Sequence, residues 1–321
     1  MQAAREQPAA APAATSTTSE PRASTAARPL TGLLLAAAGS VAFAGKAIIV
    51  KLAYRYEGMD AVTLIMLRML LALPLFALLA WWAGRGRPAL SWRDRATVVG
   101  LGFSGYYLAS FLDFAGLAYI SASLERLILY LTPTLVLLLS VVVFRQRVHR
   151  LQATALAVSY AGVLLVFGRE ATLQGRDVLL GSALVLGGTL SYAVYMVYSG
   201  RAVRRLGALR LTGLATSVAC VLCIGQYMLL EPLGALREVP APVWGLSLLN
   251  ATLCTFAPVL MVMMAIERIG ATATAQVGMV GPLATIAMGV LLLGEPFTPW
   301  LVVGTLLVLA GVGLLMRVPR G

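Results

Sequence analysis

Two stretches decide the fold: LTGLLLAAAGSVAFA at residues 30–44 and LLGSALVLGGTLSYA at residues 179–193. Each belongs to an apolar run long enough to cross a bilayer, since about 20 helical residues span ~30 Å of hydrocarbon. The two also match each other at a constant offset of 149 residues, with Gly32 falling on Gly181, Gly39 on Gly188, Phe43 on Tyr192 and Ala44 on Ala193. Further along at the same offset, Leu131-Thr132-Pro133 meets Val280-Gly281-Pro282, and Ala161-Gly162-Val163 meets Ala310-Gly311-Val312. An offset that holds from the first apolar run to the fifth marks a duplication.

Ten such runs are found, at about 30–53, 61–84, 96–118, 122–144, 151–168, 178–200, 211–230, 243–266, 271–293 and 299–316. The 321 residues are 60% hydrophobic and 12% charged, half the charge density of about 25% usual in soluble domains, and the mean hydropathy is +0.87. That leaves too little polar surface for a water-facing particle, which argues against a soluble enzyme, a nucleic-acid binder and a disordered scaffold. The expected fold is an all-α integral membrane protein of ten transmembrane helices in two five-helix repeats, residues 30–170 and 178–317. A low-complexity tail of Ala, Ser, Thr and Pro at 1–29 precedes them and is expected to be disordered. Five is odd, so the second repeat must enter the membrane upside down. Inverted repeats are an architecture of secondary transporters, with the substrate site near the midplane between the halves. Ala42-Phe43-Ala44 has the small-residue spacing of a signal-peptidase site, but cleavage there would remove the first span's pairing with the sixth.

The net charge of +12 is a topology signal. Of the 25 Lys and Arg, 23 are Arg, and most sit in short segments between apolar runs. With a cytoplasmic N-terminus, 17 fall on the cytoplasmic side and 5 on the other, while Lys46, Arg68 and Arg126 lie within spans. The positive-inside rule then puts both termini in the cytoplasm.

The Ala-Tyr-Ile-Ser-Ala-Ser stretch at 118–123, followed by Leu-Thr-Pro at 131–133, has a second-half echo. It runs from Ile269-Gly270-Ala271 through Gly281-Pro282 to Gly294-Glu295-Pro296. These features resemble the drug/metabolite transporter superfamily and, within it, the EamA-type ten-span exporters, over residues 30 to 317. The aromatic-rich third span and the size resemble the YddG-type aromatic amino acid exporters. The resemblance implies a secondary exporter, not driven by ATP, that moves small metabolites across the bacterial inner membrane, amino acids including aromatic ones foremost. It implies no cofactor and leaves room for a homodimer. One departure is that the second half has Glu295 where the first has Gln146, in an Arg-rich loop. A broad-specificity drug or metabolite exporter of the same fold is the second reading, and an intramembrane enzyme or scaffold the third.

Motifs of catalysis do not survive their context. Gly100-Leu-Gly102-Phe-Ser-Gly105 spells a dinucleotide fingerprint, but it lies in an apolar span instead of after a strand, where small residues serve helix packing. Gly102-Phe103-Ser104-Gly105 also matches the rhomboid serine motif, yet the only histidine, His149, sits in a cytoplasmic loop. Gly39 to Lys46 is one residue too long for a P-loop and lacks the following Ser or Thr. Cys220 and Cys223 read as apolar filling, and no cluster has metal-ligand spacing. No catalytic residue, cofactor or metal is assigned.

Charges within spans are the better lead, because they are costly in hydrocarbon and face a bundle interior or cavity. Lys46, Arg68, Asp113, Glu125 and Arg126 sum to +1, and their offset partners Tyr195, Ser217, Val262, Thr274 and Ala275 are uncharged. The set either ties helices together or forms an outer gate or substrate-carboxylate contact. Arg126, nearest a span end, is the one placed to snorkel to the interface. Asp113 or Glu125 can carry a proton, whereas facilitated diffusion needs neither. Aromatic faces complete the candidate cavity. At helical spacing Phe103, Tyr107, Ser110, Phe111 and Phe114 share one face of the third span. Phe43 and Lys46 share one in the first span, and Tyr192 and Tyr195 one in the sixth. The expected lining is Phe43, Lys46, Tyr107, Phe111, Tyr130, Tyr192 and Tyr195, with Asn250, Phe256 and Gln276 from spans eight and nine; helix packing is the competing reading. Pro133 and Pro282 occupy matching places, where each frees a carbonyl and can kink its helix.

Overall fold

The computed structural model describes residues 27–144, 150–174, 176–278 and 280–316. Among them every regular element is helical. Eight helical spans are long and apolar enough to cross a membrane, and two shorter apolar helices, Val280–Leu293 and Pro299–Leu314, accompany them. The elements are α1 (Ala27–Ala53), α2 (Ala61–Gly84), and α3 (Trp92–Gly102) joined by a π turn, Phe103–Leu108, to α4 (Ala109–Leu117). Next come α5 (Ala122–Leu129), α6 (Thr132–Phe144), α7 (Arg150–Gln174), α8 (Arg176–Leu206) and α9 (Ala208–Leu230). The last are α10 (Ala241–Ala251), a second π turn (Thr252–Phe256), α11 (Ala257–Gly278), α12 (Val280–Met288) running into a third π turn (Gly289–Leu293), and α13 (Pro299–Met316). The expected tail lies outside the described residues except for 27–29, which belong to α1.

Element starts repeat the sequence offset: Trp92 and Ala241 stand 149 residues apart, as do the first residues of two π turns, Phe103 and Thr252. Packing repeats it too. Helix α1 lies on α11 and α4 on α8, a pair of seams related by the offset, while α2 lies on its counterpart α9 and α7 on its counterpart α13. Small residues bring these backbones together. A Cβ on Gly39 would meet Met261 and Val262 at 3.3 Å, and one on the matching Gly188 would lie 2.8 Å from the Ala109 carbonyl. Between α7 and α13, a Cβ on Gly162 would stand 2.6 Å from the Gly304 carbonyl, so the backbones touch there.

The halves differ at one boundary. Ser121 starts α5 by accepting a hydrogen bond from the Leu124 amide at 3.0 Å, which satisfies an amide that a helix start leaves open. Its offset partner is Gly270, which has no side chain to cap with, and α11 runs unbroken to Gly278. The boundary expected between 266 and 271 rested on polarity, which alone does not end a helix.

One end of the bundle gathers the arginine-rich connections. Arg87 donates to the Leu206 carbonyl at 2.8 Å and Arg210 to the Pro88 carbonyl at 3.1 Å, and Arg205 pairs with Asp94. Asp94 forms a capping box with Ser91 at the start of α3. The opposite end carries residues 54–60, 118–121 and 294–298, where Arg55 donates to the Leu293 carbonyl at 2.9 Å.

Candidate functional site

A cavity of about 290 Å³ opens between α1, α5, α8, α9, α11 and the first π turn. Its wall carries five rings, Phe43, Tyr106, Tyr130, Tyr192 and Tyr195, beside aliphatic residues of α11, with Arg126 as the charged member. Phe43 and Tyr192 stay 42% and 37% exposed, so the cavity communicates with its surroundings. Thr212, just inside the start of α9, lies in the wall and puts the cavity on the arginine-rich side of the bundle. The rings hold one another. Tyr106 meets Tyr195 edge-on at 5.2 Å, their hydroxyls 3.2 Å apart, and Tyr192 stacks on Tyr195 at 5.5 Å. Gly105 makes this possible, because a Cβ there would run into the Tyr195 ring. Tyr130 donates to the Gly278 carbonyl at 2.7 Å, bridging the two halves of the sequence.

Arg126 is 4% exposed and turned inward. Its Nε donates to Thr285 at 2.9 Å, and Nη2 donates to the carbonyls of Phe43 and Ala44 at 3.2 and 3.3 Å. Its guanidinium also lies 5.4 Å from the Phe43 ring centre. The snorkelling expected from sequence therefore does not occur. Helix carbonyls and a hydroxyl engage its Nε and Nη2 inside the bundle, which removes the reason to reach the interface.

Beyond Phe43, away from the arginine-rich end, lie the other charges. Lys46 Nζ stands 2.5 Å from Asp113 Oδ2 and 3.4 Å from Glu125 Oε1. Arg68 donates to Ser110 at 3.4 Å and lies 5.0 Å from the Phe114 ring centre. A further layer of contacts lies above them. Glu295 accepts from the Ala122 amide at 2.7 Å and from the Ser123 amide and hydroxyl at 3.3 and 2.7 Å. Glu170 accepts from the amide and hydroxyl of Ser121. Two carboxylates thus sit on the amides that open α5, where a helix favours negative charge. Gly294, at φ +73, turns the chain so that Glu295 reaches this position, and Gly289 leaves room for its carboxylate. We refer to this layer as the latch.

The structure sorts the expected lining by place. Phe43, Tyr130, Tyr192 and Tyr195 line the cavity. Tyr107 and Phe111 pack instead against the buried cluster built around α2, and Phe256 meets Phe76 edge-on at 5.3 Å within it. Asn250 is buried on α10, Lys46 belongs to the charge cluster, and the Gln276 side chain lies outside the described residues, as does Gln146. Pro133 sits in the first turn of α6, where a proline's missing amide costs no helix bond, while the Gly278 carbonyl four residues before Pro282 accepts from Tyr130. Sequence reasoning missed Tyr106, because the π turn adds a residue and shifts the aromatic face away from the 3.6-residue period. It also missed the latch, where the unequal pair Glu295 and Gln146 was the available signal.

Comparison with known proteins places this geometry among relatives. The profile of the EamA-like transporter family matches residues 30–168 and again 179–317. The uncharacterized transporter YcbK of Bacillus subtilis is 30% identical over 274 residues, covering 82% of this chain and 86% of its own. An uncharacterized transporter of Archaeoglobus fulgidus is 24% identical, covering 82% and 91%. A crystal structure 18% identical in sequence superposes with a TM-score of 0.58 over 92% of this chain and 97% of that one, a likeness of fold alone.

Proposed function

The chain belongs to the EamA-like transporter family and is a multi-pass membrane transporter, and from that premise we propose that it is a secondary carrier exporting small metabolites, aromatic amino acids foremost. One observation carries this reading: a single guanidinium, Arg126, in a cavity wall of five rings. The rings offer stacking to a flat apolar side chain, and the guanidinium, whose Nη1 lies outside the hydrogen bonds above, offers charge and donors to a carboxylate. A volume of about 290 Å³ stands at the small end of the ~300–1,000 Å³ range of ligand pockets, which suits one amino-acid-sized molecule. A cavity walled by an arginine is a poor host for lipophilic cations, which sets the drug-exporter reading second.

In this reading residues 30–170 and 178–317 form two inverted halves of five helices each, with both termini in the cytoplasm of a bacterial inner membrane. The cavity then faces the cytoplasm while the latch closes the outer side, and exchange of these two states moves cargo without ATP. A reporter active only in the periplasm, fused after Gly321, is expected to be silent; strong activity would reverse the orientation.

Counterflow in proteoliposomes against the twenty amino acids and a set of lipophilic cations tests the cargo. Tyr192→Ala is expected to weaken competition by tryptophan and phenylalanine up to about tenfold, since an aromatic pair adds ~0.5–1.5 kcal/mol beyond area burial and 1.4 kcal/mol is a factor of ten. Small aliphatic amino acids should lose much less. Tyr107→Ala, off the cavity wall, should affect both cargo classes alike. The same selective loss from Tyr107→Ala would refute the assignment of the cavity.

A further inference from the structure

The charge cluster holds more carboxylate than it neutralises in place. Glu125 is fully buried, and neither of its oxygens receives a hydrogen bond; Asp113 Oδ1 is equally unmet. An ionised carboxylate so placed loses its hydration without replacement. The groups around Glu125 are Asp113 on α4, Lys46 on α1 and Arg126 on its own helix. Arg68 on α2 stands behind Asp113, and Cys254 on the second π turn faces Lys46 and Arg126. Glu170 and Glu295 hold the helix end one turn above. Arg126 is committed to Thr285 and to carbonyls of α1, and Arg68 to Ser110 and the Phe114 ring. Among the described ion pairs, Lys46 alone serves the two carboxylates.

A proton supplies what is missing. On Glu125 it makes an O–H that donates to the adjacent Asp113, and it leaves one carboxylate for one ammonium, as when two close carboxylates share a proton. The place of exchange follows from the latch. Glu125 lies one turn, about 6 Å at 1.5 Å per residue, below Ser121, beneath the contacts of Glu170 and Glu295 with the start of α5. Releasing those contacts would uncover the start of α5 and open a route for water to Glu125 from that end.

We propose that Asp113 and Glu125 form a proton-binding site that is filled while the latch is closed and gives its proton to water when the latch opens. The inference rests on the two-state transport reading above. The closed conformation binds one proton more than the open one, so acid favours closure. That bias is fully present at low pH and is lost as pH rises, the closed-to-open ratio falling by at most about tenfold per pH unit for one proton.

Distances between spin labels test this in the full chain in lipid. Glu57→Cys and Phe297→Cys put labels at exposed positions of two connections at the latch end, while the three native thiols are buried. In a pH series without cargo, the population at longer distance is expected to grow as pH rises. Glu125→Gln and Asp113→Asn each remove the surplus carboxylate, and each is expected to hold the short distance at every pH. If one of them fails to fold, the other decides. Glu170→Gln and Glu295→Gln should retain a pH response, because the latch carboxylates are not its source. A wild-type distance independent of pH overturns the proposal. So does a response that survives in Glu125→Gln or Asp113→Asn, or one that vanishes in Glu170→Gln or Glu295→Gln. Counterflow on the same preparations separates the two ideas: absence of any exchange by the wild type sinks the cargo reading, while the label distances judge the proton site.

Discussion

Arg126→Gln is expected to reduce the apparent affinity for a carboxylate-bearing cargo about a hundredfold or more. Removing one partner of a desolvated, hydrogen-bonded charge pair costs ~2–5 kcal/mol, and each 1.4 kcal/mol is a factor of ten. Arg126→Lys should restore little of it. A lysine is a point donor and cannot reproduce the guanidinium's simultaneous reach to Thr285 and to the carbonyls of Phe43 and Ala44. Competition in counterflow by an amino acid and by its amide provides the readout. The amide, lacking the carboxylate, should distinguish wild type from variant far less. Equal affinity of wild type and Arg126→Gln for the free acid would remove Arg126 from the site, provided helicity and melting temperature are unchanged.

The second large effect is on stability. Lys46→Met strands Asp113 beside Glu125 without a counter-ion, and breaking a buried pair by removing one partner costs ~3–5 kcal/mol. The double change Lys46→Met with Asp113→Asn should recover most of that loss, because it leaves only Glu125, which its proton neutralises in the closed state. Thermal unfolding in one detergent, compared across wild type, both single variants and the double variant, gives the coupling. Additive losses would mean that the 2.5 Å contact contributes no interaction of its own. Sequence counting could name Lys46 and its two candidate carboxylates, but it could not rank them. Only the packing of α1 on α4 selects Asp113 as the nearer.

That difference marks what could be read from the residues alone. The repeat was legible because duplication leaves glycines where backbones must touch: Gly39 and Gly188 recur at the offset and face matching seams. The buried charges were legible because hydrocarbon makes their cost obvious. The direction of a side chain was not. Tyr106 and Tyr107 are adjacent tyrosines, and the choice between cavity and core is made by a π turn with no compositional mark. The inward course of Arg126 was hidden for a similar reason. Its acceptors, Thr285 and the carbonyls of Phe43 and Ala44, come from distant parts of the chain and exist as a set only once α1, α5 and α12 have met.

The seams between halves also bear on how the chain is made. Helix α1 finds its main neighbour in α11, and α2 and α7 find theirs in α9 and α13, so the first half leaves the ribosome with its long faces uncovered. Three of its five intramembrane charges nevertheless meet at once: Lys46, Asp113 and Glu125 lie in α1, α4 and α5, all synthesised before any of the second half. The nascent chain thus carries its own counter-ions into the bilayer and need not wait for the later helices to neutralise them. Asymmetry of charge between two otherwise matching halves is then tied to birth order: the half that emerges first brings both the Lys46 ammonium and its carboxylate partners.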